Sequence, residues 1–248
     1  MPLSFLGAVL VKAPLIIFST VVYGSASVLT SLFDPGGRRQ HAISKSWAQL
    51  LLLLGGVRVR VRGMENLKPD QHYLFVGNHL SLYDTPVVLG NIPRQFLFLV
   101  NIKYVRLPFL GTHLRRSGHF AVDPDDMRAG LRVMTDAAKR IHERRLSVLM
   151  FPEGKRSPQG LLEFKEGAAY IAIKSGAPVV PFALKGTREV LPIGSAHVRG
   201  GPVEFLLGEP IPMDGYTLKD REKVTALMHE RVAGLVAQLE GARDTVVQ

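Results

Sequence analysis

Tyr73-Leu74-Phe75-Val76-Gly77-Asn78-His79-Leu80-Ser81-Leu82-Tyr83-Asp84 passes from an unbroken apolar run, through a glycine, into a polar loop. Consecutive apolar residues bounded by turn formers read as a strand buried on both faces, of the kind found at the centre of a parallel sheet. Polar side chains that emerge directly after such a strand stand where open α/β sheets place their chemistry, outside the carboxyl ends of the strands. A short loop can fold Asp84 back so that its carboxylate accepts the proton on one imidazole nitrogen of His79, leaving the other nitrogen free as a base. This is the His-Asp half of a serine-protease triad without the serine. Ser81 lies in the same loop but has no nucleophile-elbow pattern around it, so the hydroxyl to be activated is expected from a substrate. Asp84 also stands before Thr85-Pro86, where an aspartate commonly caps a helix, and it can do both jobs.

The same punctuation continues on either side. Phe96 to Val100, Val148 to Phe151 and Val179 to Ala183 are further apolar runs of strand length, and with Tyr73 to Val76 they are expected to form the sheet centre. Val57 to Val61 alternates valine with arginine at period two, as an edge or half-exposed strand does. Asp126 to Arg145 places Met127, Leu131, Met134, Ala138 and Ile141 at helical spacing, Phe164 to Lys174 makes a shorter helix, and Leu218 to Leu239 closes the chain as an amphipathic helix. Strands alternating with helices predict an α/β domain over residues 57–248, with a mostly parallel central sheet flanked by helices. No internal repeat or low-complexity tract interrupts it.

Residues 1–56 have a different character. From Ala13 to Phe33 there is no charged residue, and as a helix this stretch would be about 30 Å long, roughly one hydrocarbon thickness. Pro14, Gly24 and several hydroxyl residues dilute it. Asp34-Pro35-Gly36-Gly37 forces a turn, and His41 to Leu54, with Trp47, gives a second helix too short to cross a bilayer but suited to its interface. The expectation is an N-terminal membrane-binding helical hairpin, with Arg38, Arg39, Lys45, Arg58, Arg60 and Arg62 among anionic headgroups. The alternative is that both helices only pack on the domain. No basic leader with a compact apolar core and cleavage site is visible, so removal of this segment is not expected.

Composition narrows the chemistry. The 248 residues contain no cysteine, which excludes disulfides, thiolate metal sites and a cysteine nucleophile. Lys+Arg 31 against Asp+Glu 21 gives a net charge of +10, attractive to any polyanion, while the apolar fraction of 46% turns the choice towards lipid. No zinc-finger, RNP or helix-turn-helix signature supports a nucleic-acid partner. His72, His113, His119, His142 and His197 are scattered without ligand spacing, so no metal is expected.

Several ordered blocks between Leu74 and Gly186 resemble the glycerolipid acyltransferase family, which includes the lysophosphatidate acyltransferases. Asn78-His79 with Asp84 matches the family's N-H-x-x-x-x-D motif, and Phe151-Pro152-Glu153-Gly154-Lys155-Arg156-Ser157 resembles its F-P-E-G-T-R-S motif. Phe164-Lys165-Glu166-Gly167-Ala168 looks like its F-K-x-G-A segment, and Val180-Pro181 matches its V-P motif. The resemblance implies that His79 and Asp84 are catalytic and that Asn78, Glu153, Gly154, Lys155, Arg156, Lys165 and Pro181 serve substrate binding. Arg156 can hold a phosphate in a bidentate way, and Glu153 can hold a hydroxyl or orient the arginine. It also implies acyl-CoA or acyl-carrier-protein as donor and lysophosphatidate as acceptor, without a cofactor. Membrane lipids are then the surroundings, at the cytoplasmic face of the inner or plasma membrane.

Two positions depart from the pattern. In Gly118-His119-Phe120-Ala121-Val122-Asp123 the family's following arginine is Pro124, and an upstream family lysine falls on Asn101, with Lys103 displaced by two residues. Phosphate contacts are then expected from Lys103, Arg106, Arg115 or Arg116, unless the acceptor is glycerol 3-phosphate, another lysophospholipid or an aminolipid. A membrane-bound, non-catalytic lipid-binding protein is the competing reading from another class.

Overall fold

The computed structural model describes residues 12–241. A helical hairpin, α1 (Ala13–Thr30) and α2 (Arg38–Gly55), leads into a seven-stranded sheet interleaved with helices. The sheet strands are β1 (Val57–Arg62), β2 (Leu74–Gly77), β3 (Phe96–Asn101), β4 (Phe120–Val122), β5 (Ser147–Met150), β6 (Val179–Lys185) and β7 (Gly201–Leu207). Between them lie α3 (Asp84–Asn91), α4 (Ile102–Val105), α5 (Leu110–Arg116), α6 (Met127–Arg144), α7 (Gly167–Ser175) and α8 (Thr187–Val190), and α9 (Arg221–Gly241) follows β7.

The order across the sheet is β1-β7-β6-β2-β5-β3-β4, and every pairing is parallel except β6 with β7. The four continuous apolar runs are the adjacent central strands β6, β2, β5 and β3, and the valine-arginine strand β1 is an edge. β2 and β5 are buried at every residue, as strands covered on both faces must be. Alternation at period two sends Phe75, Phe96 and Phe98 into the core under α2 and α3, and Leu74, Val76 and Leu97 into the core under α6, α7 and α9. Each such fully buried Phe or Leu contributes about 1.5–3 kcal/mol of hydrophobic stabilisation.

Two strands were not anticipated. β4 has only three residues, and β7 opens on Gly201-Pro202 and carries Glu204, which pairs with Arg62 of β1 at 2.9 Å. One helix also departs from its expected face. Ala138 and Ile141 of α6 are buried, but Met127 is 89% exposed and Leu131 49%, because the first half of α6 overhangs a groove instead of the core.

The hairpin forms and lies on the domain. α2 buries Ser44, Ala48, Leu51 and Leu52 between α1, α3 and the sheet. α1 turns its hydroxyl residues inward: Thr20 accepts from the Trp47 indole at 3.2 Å, and Ser27 bonds the His113 ring on α5 at 2.8 Å. Its large apolar residues, Ile17, Phe18, Val22 and Leu29, are exposed as one stripe. This helix is long and apolar enough to cross a membrane.

Candidate active site

β2 ends at Gly77, and the loop beyond it is held in place from three sides. Asp84 is the first residue of α3 but does not cap it. Its side chain reaches backwards, and Oδ2 accepts from the backbone N–H groups of Leu80 at 2.7 Å and Ser81 at 2.9 Å and lies 2.7 Å from His79 Nδ1. The expected double role is thus corrected: the carboxylate closes the loop and holds the imidazole, and the helix start goes without it. Asp84 is fully buried, whereas the His79 side chain is 19% exposed. The ring lies flat on Phe151, with centroids 4.1 Å apart and an interplanar angle of 11°. With Nδ1 committed, a proton resides there and Nε2 is the nitrogen available to the groove that His79 lines.

Glu153 has a different position from the one its motif suggested. It is 3% exposed, its Oε1 accepts from His79 N at 2.6 Å, and its Oε2 accepts from Leu162 N at 2.9 Å. Burial raises its carboxyl above the ordinary value of 4.5, and the N–H groups of Leu162 and His79 oppose that rise by stabilising the anion. Both oxygens are occupied by backbone, so Glu153 neither orients Arg156 nor has an oxygen free for a substrate hydroxyl. It is a positioning residue for His79. Ser157 N completes the clamp by donating to the His79 carbonyl at 2.7 Å.

Asn78 is likewise structural. Its amide donates to Leu184 O at 2.9 Å and accepts from Leu184 N at 2.8 Å, which ties the end of β2 to β6 with a side chain 2% exposed. Pro181 sits inside β6 opposite Val76, and its carbonyl accepts from Gly208 N at 2.8 Å, away from the groove. Gly154 takes φ 71, a conformation glycine adopts freely, and a Cβ there would stand 3.2 Å from Lys165 Cε. Lys155, Arg156 and Lys165, around that turn, line the groove.

The groove has a volume of about 1610 Å³ and a lining of mixed character. Besides His79 it takes in the cations Lys103, Arg128, Lys155, Arg156, Lys165 and Arg221, accompanied by Asp123, Asp126 and Glu166, the last paired with Arg221 at 3.7 Å. Under the hairpin it is lined by apolar groups of α1, α2 and β3, among them Ile16, Trp47, Leu51 and Phe98. Both departures from the family pattern lie on its wall, Asn101 and Pro124. Asn101 Oδ1 accepts from Lys103 N at 3.0 Å and caps α4, the turn that carries Lys103. Arg115 and Arg116 are not brought in. Arg115 donates to Val105 O at 2.8 Å and Arg116 to Ser31 Oγ at 3.1 Å, both on the outer surface. Arg128 and Arg221 also line the groove, and no motif marks them in the sequence.

A second feature escaped the sequence. His41, His113 and His119 gather on the groove wall between the hairpin and β3. Burial holds His41 down at about 4 and His119 at about 3, and lowers His113 as well; Lys45 adds to the effect at His41, and His113 and His41 add to it at His119. His119 Nδ1 accepts from Phe98 N at 3.0 Å, which requires a neutral ring. Bases held below their unfolded value of 6.5 confer stability that is complete above 6.5 and is lost as pH falls towards 4 and 3. The melting temperature in detergent should therefore drop steeply between pH 6.5 and 4, and His119→Gln, which keeps an acceptor for Phe98 N, should flatten that slope. An unchanged slope in the variant would contradict the assignment. Among the described residues no group of three or more His, Asp or Glu side chains is arranged to hold a metal ion.

Comparison with known proteins shows which family the chain falls in. A family model described as Acyltransferase matches residues 58–185. The chain is similar to the 1-acyl-sn-glycerol-3-phosphate acyltransferase of Escherichia coli, 28% identical over 92% of this chain and 95% of that one. It is also similar to the enzyme of the same name from Limnanthes alba, 30% identical over 73% of this chain, and there it spans 64% of the relative's length. The crystal structure of the 1-acyl-sn-glycerophosphate (LPA) acyltransferase PlsC from Thermotoga maritima shares the fold, with a TM-score of 0.77 over 93% of this chain and 95% of that one, at 24% identity. The family model spans more than half of the chain, from the first strand to the end of β6, and the protein belongs to the acyltransferase family.

Proposed function

We propose that the protein transfers a fatty acyl group from acyl-CoA or acyl-carrier-protein to the sn-2 hydroxyl of 1-acyl-sn-glycerol 3-phosphate, giving phosphatidic acid. One observation carries this reading: His79, held by Asp84, opens onto a groove whose wall combines cationic side chains, Lys155, Arg156 and Lys165 among them, with an extensive apolar lining. A lysolipid with an anionic head and a single chain has the same polarity. His79 Nε2 takes the proton of the acceptor hydroxyl as its oxygen attacks the thioester carbonyl, and the imidazolium so formed is stabilised by Asp84. When the tetrahedral intermediate collapses, the C–S bond breaks and the proton returns from His79 to the departing thiolate. No acyl-enzyme is required, and every group transferred belongs to one of the two substrates.

The membrane is the source of the acceptor. α1 turns an apolar stripe outward along its length while its polar side is hydrogen-bonded to α2 and α5, which suits a hairpin lying in the cytoplasmic interface of the inner or plasma membrane. Arg156 and Lys103 are the residues proposed to receive the phosphate. Charge-assisted contacts of this kind are worth about 1.5–3 kcal/mol each. Arg156→Ala and Lys103→Ala are therefore expected to raise KM for the phosphate-bearing acceptor by roughly 10- to 100-fold while changing kcat little.

One observation favours a second acceptor class. Asp123 and Asp126 line the same groove as the cations, and Pro124 stands at the family's arginine position, so a head group bearing an amine beside its acid would also find partners there. A matrix of acyl donors against lysophosphatidate, other lysophospholipids, glycerol 3-phosphate and lyso-aminolipids, read by mass spectrometry, separates the two. Preferred conversion of lysophosphatidate supports the first reading, and preferred conversion of an aminolipid the second. Absence of transfer to any acceptor would leave a lipid-binding protein.

A further inference from the structure

The segment joining α4 to α5 has no part in the groove, yet it is built with unusual care. Arg106, Leu107, Pro108 and Phe109 are all exposed, Leu107 at 48% and Phe109 at 58%. Phe109 has φ 60 and ψ −62, and Leu110 N donates to Pro108 O at 2.6 Å across it. This is a γ-turn of the rare, strained hand, occupied by a bulky aromatic residue instead of glycine. Gly111 then lets α5 close against the Val105 carbonyl, where a Cβ would collide, and Gly111 N donates to Leu107 O at 2.9 Å. The turn holds an aromatic ring in solvent.

We propose that the turn Arg106–Phe109 is a second lipid-inserting element, which seats the catalytic domain itself on an anionic bilayer surface. Its neighbours favour that occupant. α5 is joined to α1 by Ser27 with His113 at 2.8 Å and by Arg116 with Ser31 at 3.1 Å, so the turn that leads into α5 is tied to the helix that carries the exposed apolar stripe. From Ile102 to Val122 the chain carries Lys103, Arg106, Arg115 and Arg116 and no acidic residue, the composition of a surface that meets anionic headgroups. An acidic carrier protein would satisfy the charge but not the exposed apolar side chains of Leu107 and Phe109. This inference rests on the membrane-bound reading above and adds to it a fixed orientation of the catalytic domain on the bilayer.

The chain has a single tryptophan, which makes the test direct. In Trp47→Phe/Phe109→Trp, confirmed as folded by circular dichroism, the indole emission should shift to the blue and be quenched on mixing with vesicles of phosphatidylglycerol and phosphatidylcholine whose chains are brominated. Flotation of the same sample reports membrane binding separately. A protein that floats with an unquenched indole overturns the proposal and spares the membrane-bound reading, whereas a protein that does not float overturns both. A response to acyl-carrier-protein but not to vesicles would also overturn it. In parallel, Leu107→Ser/Phe109→Ser should lose about tenfold activity on vesicle-borne acceptor and keep its activity on acceptor dispersed in detergent. Equal loss in both assays would mean that the turn serves only the fold.

Discussion

His79→Ala is expected to leave the protein folded and to lower kcat for acyl transfer by about 10⁴-fold, at the upper end of what a positioned general base contributes. The fold survives the loss of the ring because Leu80 N and Ser81 N still donate to Asp84 Oδ2 and hold the loop. What the substitution removes is the only imidazole fixed by a buried carboxylate among the described residues. Asp84→Asn is expected to follow closely. An asparagine can still reach Leu80 N and Ser81 N through its oxygen, but it no longer stabilises the imidazolium, and its amide donor can turn the ring to the wrong tautomer. The double variant should be little worse than either single one, because the pair acts as a unit. Initial rates under saturating donor and acceptor check this, with the thermal melt as control. Near-normal turnover in His79→Ala would remove the proposed mechanism altogether.

How much of this was legible in the sequence depends on the range over which each feature is determined. The central strands β2, β3, β5 and β6 were readable because a strand buried on both faces must be continuously apolar, and the His79–Asp84 loop because its partners are five residues apart. β7 was not, since its place in the sheet is set by β1 and β6, and its own Gly-Pro opening and Glu204 argue against a strand. The roles of Asn78 and Glu153 were hidden for a related reason. Each binds backbone far away, Asn78 at a separation of 106 residues and Glu153 at 74, and a motif shows that a residue is present without showing what it faces. α6 has the period of a core helix throughout, yet only the sheet's edge decides that Met127 and Leu131 overhang the groove. The histidine wall was invisible because His41, His113 and His119 come from three separate elements that the hairpin alone brings together.

The Glu153 carboxylate is where fold and catalysis meet, and Glu153→Ala is expected to damage both. Two backbone N–H groups, those of His79 and Leu162, lose a carboxylate acceptor that is itself 3% exposed. A fully buried unsatisfied donor costs about 1–3 kcal/mol, so for these two part-buried groups roughly 6 kcal/mol is the upper bound on the loss in unfolding free energy. The His79 loop then depends on Asp84 and Ser157 alone, and a catalytic ring displaced by an ångström loses about 10²-fold in rate. The effect should fall on kcat and leave the acceptor KM nearly unchanged, which a direct substrate contact would not do. Glu153→Gln separates charge from geometry: its carbonyl can serve one N–H, but its amide meets the other as donor against donor. Because burial raises the carboxyl of Glu153, the group's stability contribution is complete below 4.5 and declines as pH rises through its higher folded value. The stability gap between wild type and Glu153→Gln should accordingly be wider at acid pH and narrow as pH rises through that window. Unfolding in denaturant across that range measures it. A KM effect larger than the kcat effect would return Glu153 to the substrate and take it away from the backbone of His79.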